Sequence, residues 1–291
     1  MKDINIFCFG FGQVAKNFIK KLNVEKYNIN LSTTSRVKSK KETFEGINYN
    51  SYLFNSERFD QNLILKLKES DHILVSIPPE NQEDLVVKNF SKFIDSSKVK
   101  WITYLSATSV YGDHKGEWVN ENSKTKPTSI NGIARLKAEN SWVSLEKNNK
   151  LPVQVFRLSG VYSNEKNILV RLKLGDVKLI KKKNHYFSRI HVDDIANILF
   201  ESLSKFKSGE TYNISDDKPS SSEKVTLFGA KILNIKNIKK IEVDEIKSQM
   251  LKNFYNDSKK ISNEKVKNFF NYELKFPSYI EGLNYIRDNF I

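Results

Sequence analysis

A single cysteine, Cys8, stands in a chain of 291 residues, so no disulfide can close within it and a thiol-reducing compartment is the natural setting. Histidine is nearly as scarce. The four present (His72, His114, His185 and His191) show no metal-ligand spacing with Cys8 or with one another, and no metal site is expected. No apolar run approaches the ~18 residues that a membrane-crossing helix needs. Nor does an apolar stretch with a small-residue cleavage site precede the first strand-like run, so the expectation is a soluble, cytoplasmic protein with no membrane partner. The nucleophile elbow G-x-S-x-G and the phosphate loop G-x-x-x-x-G-K-[ST] are also missing, which sets aside the enzyme classes built on them. Internal repeats and long low-complexity linkers are absent as well.

Acid is in short supply: 34 Asp and Glu face 48 Lys and Arg, for a formal charge of +14. Such an excess suits a nucleic acid, an anionic lipid or a phosphorylated ligand. Here the lysines are scattered along the whole chain, and runs such as Lys38 to Lys41 and Lys181 to Lys183 are short. With no RNA-binding signature and no zinc-knuckle spacing beside them, they read as solvating residues, and nucleic acid is not the expected partner.

What is present is an ordinary folded composition, 39% hydrophobic and 28% charged. "INIFCFG" (Ile4 to Gly10) is an apolar run of β-favouring residues that ends in glycine, hence a buried strand. "QVAKNFIKKL" places Val14, Phe18 and Leu22 at helical spacing. "YNINLSTTSR", "HILVSIPP", "VKWITYLSA", "LPVQVFRLSG" and "ETYNISD" read as further strands, with a polar connection of helical length between the first two. Amphipathic helices are predicted around Asp84 to Ile94 and Asp193 to Leu203. Strands alternating with helices predict an α/β fold, a Rossmann-type doubly wound parallel sheet with a smaller C-terminal lobe. The expected division is a dinucleotide-binding domain over 1–162 and a substrate lobe over 163–291. Residues 188–216 or so return to the sheet, with Thr211 to Ser215 as a strand.

Gly10-Phe11-Gly12-Gln13-Val14-Ala15 has the form G-x-G-x-x-A between a strand and a helix. The first glycine permits the turn, the second lets a pyrophosphate approach bare backbone, and the small third residue lets helix and strand pack closely. Gly10, Gly12, Gln13 and Val14 are therefore candidate cofactor contacts. A carboxylate at the end of the second strand would bond the ribose of NAD, but "TTSR" offers Thr33, Ser35 and Arg36. A guanidinium pairs with a 2′-phosphate through two charge-assisted hydrogen bonds, so Ser35 and Arg36 indicate NADP, with NAD as the alternative. Ser76 and Pro78, where the run from His72 stops, are placed at the same cofactor.

The glycine loop, "LSATSVYGD", "RLKAE", "FRLSGVY", "SRIHVDDIA" and the later "YNISDD" together resemble the extended short-chain dehydrogenase/reductase superfamily. The similarity is closest to NAD(P)-dependent epimerase/dehydratase-like proteins, in an atypical form. The resemblance implies an oxidoreductase or epimerase/dehydratase acting on a hydroxyl or carbonyl of a small, possibly nucleotide-linked substrate. In that family a Ser or Thr at a strand end, and a Tyr and a Lys four residues apart on a helix, handle the proton. Lys137 matches the Lys and would bond the nicotinamide ribose; the Tyr position is Ile133 and the Ser/Thr position Ala107. Ser106, Thr108 and Tyr111 are candidate replacements, with Tyr104 and Tyr162 as further phenols. Leu158 and Ser159 would line the nicotinamide end, and His191 would touch substrate, unless it is simply satisfied within the fold while Asp193 or Asp194 caps the next helix. Dimers of this superfamily often pair through helices that here would include Lys137, so a homodimer is a further expectation. The loss of two proton-handling groups leaves a second possibility, a non-catalytic NADP-binding redox sensor or regulator.

Overall fold

The computed structural model describes residues 2–291, except the side chains of Met250 and Asn253. Its main sheet has eight strands: β1 (Asp3–Phe9), β2 (Asn28–Ser35), β3 (Lys40–Phe44), β4 (Ile47–Leu53), β5 (His72–Val75), β6 (Trp101–Ala107), β7 (Val153–Leu158) and β8 (Thr211–Ile214). They lie in the order β8-β7-β6-β5-β1-β2-β4-β3. β1 pairs in parallel with both β2 and β5, β5 with β6, and β2 with β4. The chain therefore leaves β1 on one side for β2 and reaches β5 on the other. Between the carboxyl ends of these strands lies the switch point where open parallel sheets bind ligands. Ile4, Ile6, Phe7, Cys8 and Phe9 of β1 are all buried, the continuous apolar run of a strand covered on both faces. Burial also pushes the Cys8 thiol up, out of any reactive range.

The stretch between Arg36 and His72, expected as a polar helical connection, contains a β-hairpin before a short helix. β3 and β4 pair antiparallel across a two-residue turn with both φ angles positive, Glu45 at 49° and Gly46 at 78°. That turn matches the twist of the strands it joins. Lys40 and Lys41 stand on the outer edge strand, where charge discourages further pairing.

The chain forms two compact units, one of 1–107, 130–157 and 195–212, the other of 108–129, 158–194 and 213–291. Where a single cut near 162 was expected, the chain crosses between the units five times, and two of these crossings fall within β7 and β8. In the first unit, helix α1 (Gln13–Val24) buries Val14, Ala15, Phe18, Ile19 and Leu22 along one stripe. Helices α2 (Asn62–Glu69), α3 (Leu85–Phe90) and α4 (Ile130–Asn149) complete the part that concerns the site. Asp84 caps α3 by accepting the N–H groups of Val86 and Val87, and its other oxygen accepts the Trp142 indole N–H of α4 at 3.0 Å. In the core beneath, Phe9 stacks on Phe90, and Phe54 meets both rings edge to face. The second unit is held by three short parallel pairs, such as Gly160–Tyr162 with Arg189–His191, and by a core that includes Tyr162, Leu169, Tyr279 and Ile286. Among the described residues no helix is long and apolar enough to cross a membrane.

One buried polar network fixes α4 to the sheet. Arg157 of β7 donates Nε and Nη2 to Glu139 Oε1 at 2.8 and 2.6 Å. Ser106 of β6 donates its hydroxyl to Glu139 Oε2 at 2.9 Å. Removing the carboxylate takes the acceptor of two charge-assisted bonds from a buried guanidinium, so Glu139→Ala should lose about 3–5 kcal/mol of unfolding free energy in urea. An exposed control such as Glu146→Ala should stay within about 0.5 kcal/mol of wild type.

Candidate active site

At the end of β1 the chain turns at Gly10 with φ +86°, where a Cβ would stand 2.7 Å from Ile77 Cγ2 and 2.8 Å from Ser76 Oγ. Only glycine allows β1 and the segment after β5 to approach this closely. The turn is bonded from both sides: Gly10 N–H donates to Thr34 Oγ1 at 2.8 Å, and Ser76 Oγ donates to the carbonyls of Phe9 and Gly10 at 3.0 and 3.1 Å. At Gly12 the circumstance is the opposite. A Cβ there would meet nothing within 4 Å, so the bare backbone borders open space. Helix α1 begins at that point with no side-chain cap and no acid in its first turn, leaving the positive end of its dipole exposed to an anion.

Gly10, Gly12, Thr34 and Arg36 line one part of a cleft of about 370 Å³, and Ser76, Pro78 and Glu80 another. Five residues expected at the cofactor are thereby brought together: Gly10, Gly12, Arg36, Ser76 and Pro78. Gln13 opens α1, Val14 is buried beneath it, and Ser35 accepts the N–H of Val37 at 3.4 Å; these three adjoin the cleft without lining it. The residues present fit a dinucleotide, with a bare glycine cradle for the pyrophosphate and a cation in the same cleft. Glu80 escaped sequence reasoning. No acid follows β2, but the segment after β5 delivers one, and its Oε1 lies 3.6 Å from Arg36 Nη2. Sequence distance conceals such a pairing, and only the "PPE" turn signal hinted at a fixed loop there.

The proton-handling positions follow the sequence. Ala107 closes β6, Ile133 is 43% exposed on α4, and Lys137 is exposed one turn further along. The charge of Lys137 adds to that of Lys88, the main cause, in holding the exposed Glu83 carboxyl below its usual range. Ser106 is buried and its hydroxyl is bonded to Glu139. In the second unit, Thr108 opens the 3₁₀ turn Thr108–Tyr111 and is buried, while the enclosed Tyr111 donates to Asn213 Oδ1 at 2.7 Å. Burial raises the phenols of Tyr104 and Tyr162 well above the ordinary tyrosine range, making each a weaker acid. Leu158 and Ser159 belong to the second unit, where Ser159 N–H donates to the Ile214 carbonyl at 3.0 Å. Among the described residues no group of three or more His, Cys, Asp or Glu could hold a metal ion.

His191, expected at the substrate, is 0% exposed and lies between the rings of Tyr162 and Phe276. Its Nδ1 accepts the N–H of Asp193 at 3.2 Å. Neither acid after it caps the helix Val192–Ser204 as expected. Asp194 instead accepts from Tyr272 Oη and from the N–H groups of Lys275 and Phe276, and Asp193 pairs with Lys275 at 2.8 Å. Burial lowers the His191 pKa from 6.5 to about 4, against the pull of Asp193. Between those values the unfolded chain binds the extra proton, so stability falls as pH drops from about 6.5 towards 4, by at most about 1.4 kcal/mol per pH unit. His191→Asn keeps an acceptor near Nδ1 and removes the titration. Its urea midpoint should change less than that of wild type between about pH 7 and pH 5.

Residues 85–215 match the NAD dependent epimerase/dehydratase family. No curated protein matches the sequence. Among solved structures, a functionally unknown conserved protein from Silicibacter pomeroyi DSS is 28% identical, with 99% of each chain covered and a TM-score of 0.86. The dTDP-glucose 4,6-dehydratase of Bacillus anthracis str. Ames, solved in complex with NAD, is 18% identical over 100% of this chain and 98% of its own, with a TM-score of 0.78. UDP-glucuronic acid 4-epimerase from Bacillus cereus, solved with UDP-glucuronic acid and NAD, is 16% identical over 99% of each chain, with a TM-score of 0.76. The chain is thus similar to the NAD dependent epimerase/dehydratase family over 85–215, and it shares the Rossmann-like fold of these structures along nearly its whole length.

Proposed function

We propose that the cleft of the first unit binds NADP, and that the protein acts on a hydroxyl or carbonyl of a small, nucleotide-linked substrate through a degenerate Ser-Tyr-Lys triad. The observation that carries this reading is the bare backbone at Gly12, beside an uncapped helix start and in one cleft with Arg36. The Gly10–Gly12 backbone would hold the pyrophosphate, Arg36 would take the 2′-phosphate, and Lys137 would hold the nicotinamide ribose. Bound NADP supplies hydride transfer. Two of the structural neighbours were solved with NAD, which supports a dinucleotide, and Arg36 is the feature that favours the phosphorylated form. The sugar-nucleotide names of the same neighbours support the substrate class.

Proton handling is the weak part of the site. Ile133 and Ala107 present only hydrocarbon where the family has a phenol and a hydroxyl, and the hydroxyls of Ser106 and Tyr111 are engaged elsewhere. General acid–base catalysis contributes typically ~10²–10⁴-fold, so turnover should be slow even with cofactor and substrate well held. The same enclosure favours a second reading, a non-catalytic NADP-binding sensor or regulator.

Two measurements separate these readings. NADPH should raise the melting temperature of the wild-type protein, and Arg36→Ala should lose most of that shift while retaining a response to NADH. Absence of a shift with either dinucleotide would sink both readings together. In the second, Ala107→Ser combined with Ile133→Tyr should increase hydride transfer on a sugar-nucleotide panel by about 10²-fold or more if the enzymatic reading holds. Binding of NADPH with no hydride transfer in either protein would favour the sensor.

A further inference from the structure

The segment that carries Glu80 is built for accuracy. Glu80 and Glu83 exchange both backbone hydrogen bonds, at 3.0 and 2.9 Å, across a two-residue turn. Its central residues, Asn81 and Gln82, hold φ angles of 48° and 63°. Asparagine tolerates the left-handed region, whereas glutamine adopts it only under constraint. Pro78 and Pro79 precede the turn and restrict the chain on its other side. A tightly specified loop thus brings one carboxylate to one guanidinium, with Glu80 Oε1 and Arg36 Nη2 3.6 Å apart in the cleft.

That pair poses a conflict for any ligand. Arg36 is the cation that attracts a 2′-phosphate, yet Glu80 occupies the same guanidinium and carries the charge that repels phosphate. An unphosphorylated ribose meets no such conflict, since its hydroxyls can donate to the carboxylate. The Arg36 and Glu80 side chains are 66% and 33% exposed, and an ion pair of that exposure is weak enough to open when a better partner arrives.

We propose that Glu80 is the residue that sets dinucleotide preference, by competing with the 2′-phosphate for Arg36 and by accepting the ribose hydroxyls of NAD. The proposal rests on the reading of the cleft as a dinucleotide site. It makes the missing acid at the end of β2 a displaced function, served from the segment after β5. Loss of the carboxylate therefore sharpens the preference for NADP, and loss of the guanidinium reverses it.

The test is a titration of wild type, Glu80→Gln and Arg36→Ala with NADPH and with NADH, read as dissociation constants from cofactor fluorescence. Melting of the unliganded variants verifies folding; both side chains are exposed enough for the variants to remain native. Glu80→Gln should bind NADPH about tenfold more tightly and NADH no more tightly than wild type, so the preference ratio rises about tenfold. Arg36→Ala should lower the same ratio by about tenfold or more. A Glu80→Gln ratio within about twofold of wild type, or a change shared equally by both dinucleotides, overturns the role of Glu80 while leaving the cleft a dinucleotide site. A wild-type protein that binds neither dinucleotide overturns both.

Discussion

At Gly10 the backbone must turn with a positive φ while pressed against Ser76 and Ile77, and no residue with a Cβ can do both. The carboxyl ends of three strands are tied together through this point. β1 supplies the turn, Thr34 of β2 accepts its N–H, and Ser76 after β5 bonds its carbonyl and that of Phe9. Because β2 and β5 flank β1 on opposite sides, the tie falls at the switch point of the sheet. Helix α1 starts three residues on, and Ala15, fully buried, lets it lie close to the strand. Arg36 and Glu80 then follow directly from β2 and from the segment after β5, so their meeting is a consequence of the same tie.

A second constraint governs the other side of the first unit. Glu139 joins Ser106, Arg157 and the helix that carries Ile133 and Lys137 in one buried network. Arg135, on the same helix, donates to the Leu105 carbonyl at 2.8 Å. These bonds place Lys137 firmly, but they also occupy the one hydroxyl beside Ala107 on β6. Polar groups buried in this way need every partner they have, because an unmade bond in the interior costs about 1–3 kcal/mol. Position has been kept at the expense of a free hydroxyl at this strand end.

Much of this was legible in the residues. The run from Ile4 to Gly10, the stripe of Val14, Phe18 and Leu22, and the G-x-G-x-x-A spacing specify a strand, a turn and a helix by local rules alone. The helix predicted from Asp84 is present and capped by that residue. Other features depend on partners remote in sequence. The alternation in Ile47–Leu53 was masked by its polar residues, and the hairpin becomes plain only with Glu45 and Gly46 at positive φ. His191 resembles a ligand in a sequence with few histidines; its burial between Tyr162 and Phe276 is a tertiary fact. The engagement of Ser106 by Glu139 and the arrival of Glu80 beside Arg36 are likewise pairings that no spacing rule encodes.

The dinucleotide reading turns on the open space at Gly12, where bare backbone borders the cleft at the start of α1. Calorimetric titration of NADPH into wild type and Gly12→Val tests it directly. A valine there has room and an ordinary φ of −87°, so the unliganded variant should melt within about 3 °C of wild type. The wild-type protein should bind NADPH and the variant should lose about 100-fold or more in affinity, as expected when a side chain fills the pyrophosphate path. Equal affinity in the two proteins would contradict the assignment of this cleft to a dinucleotide.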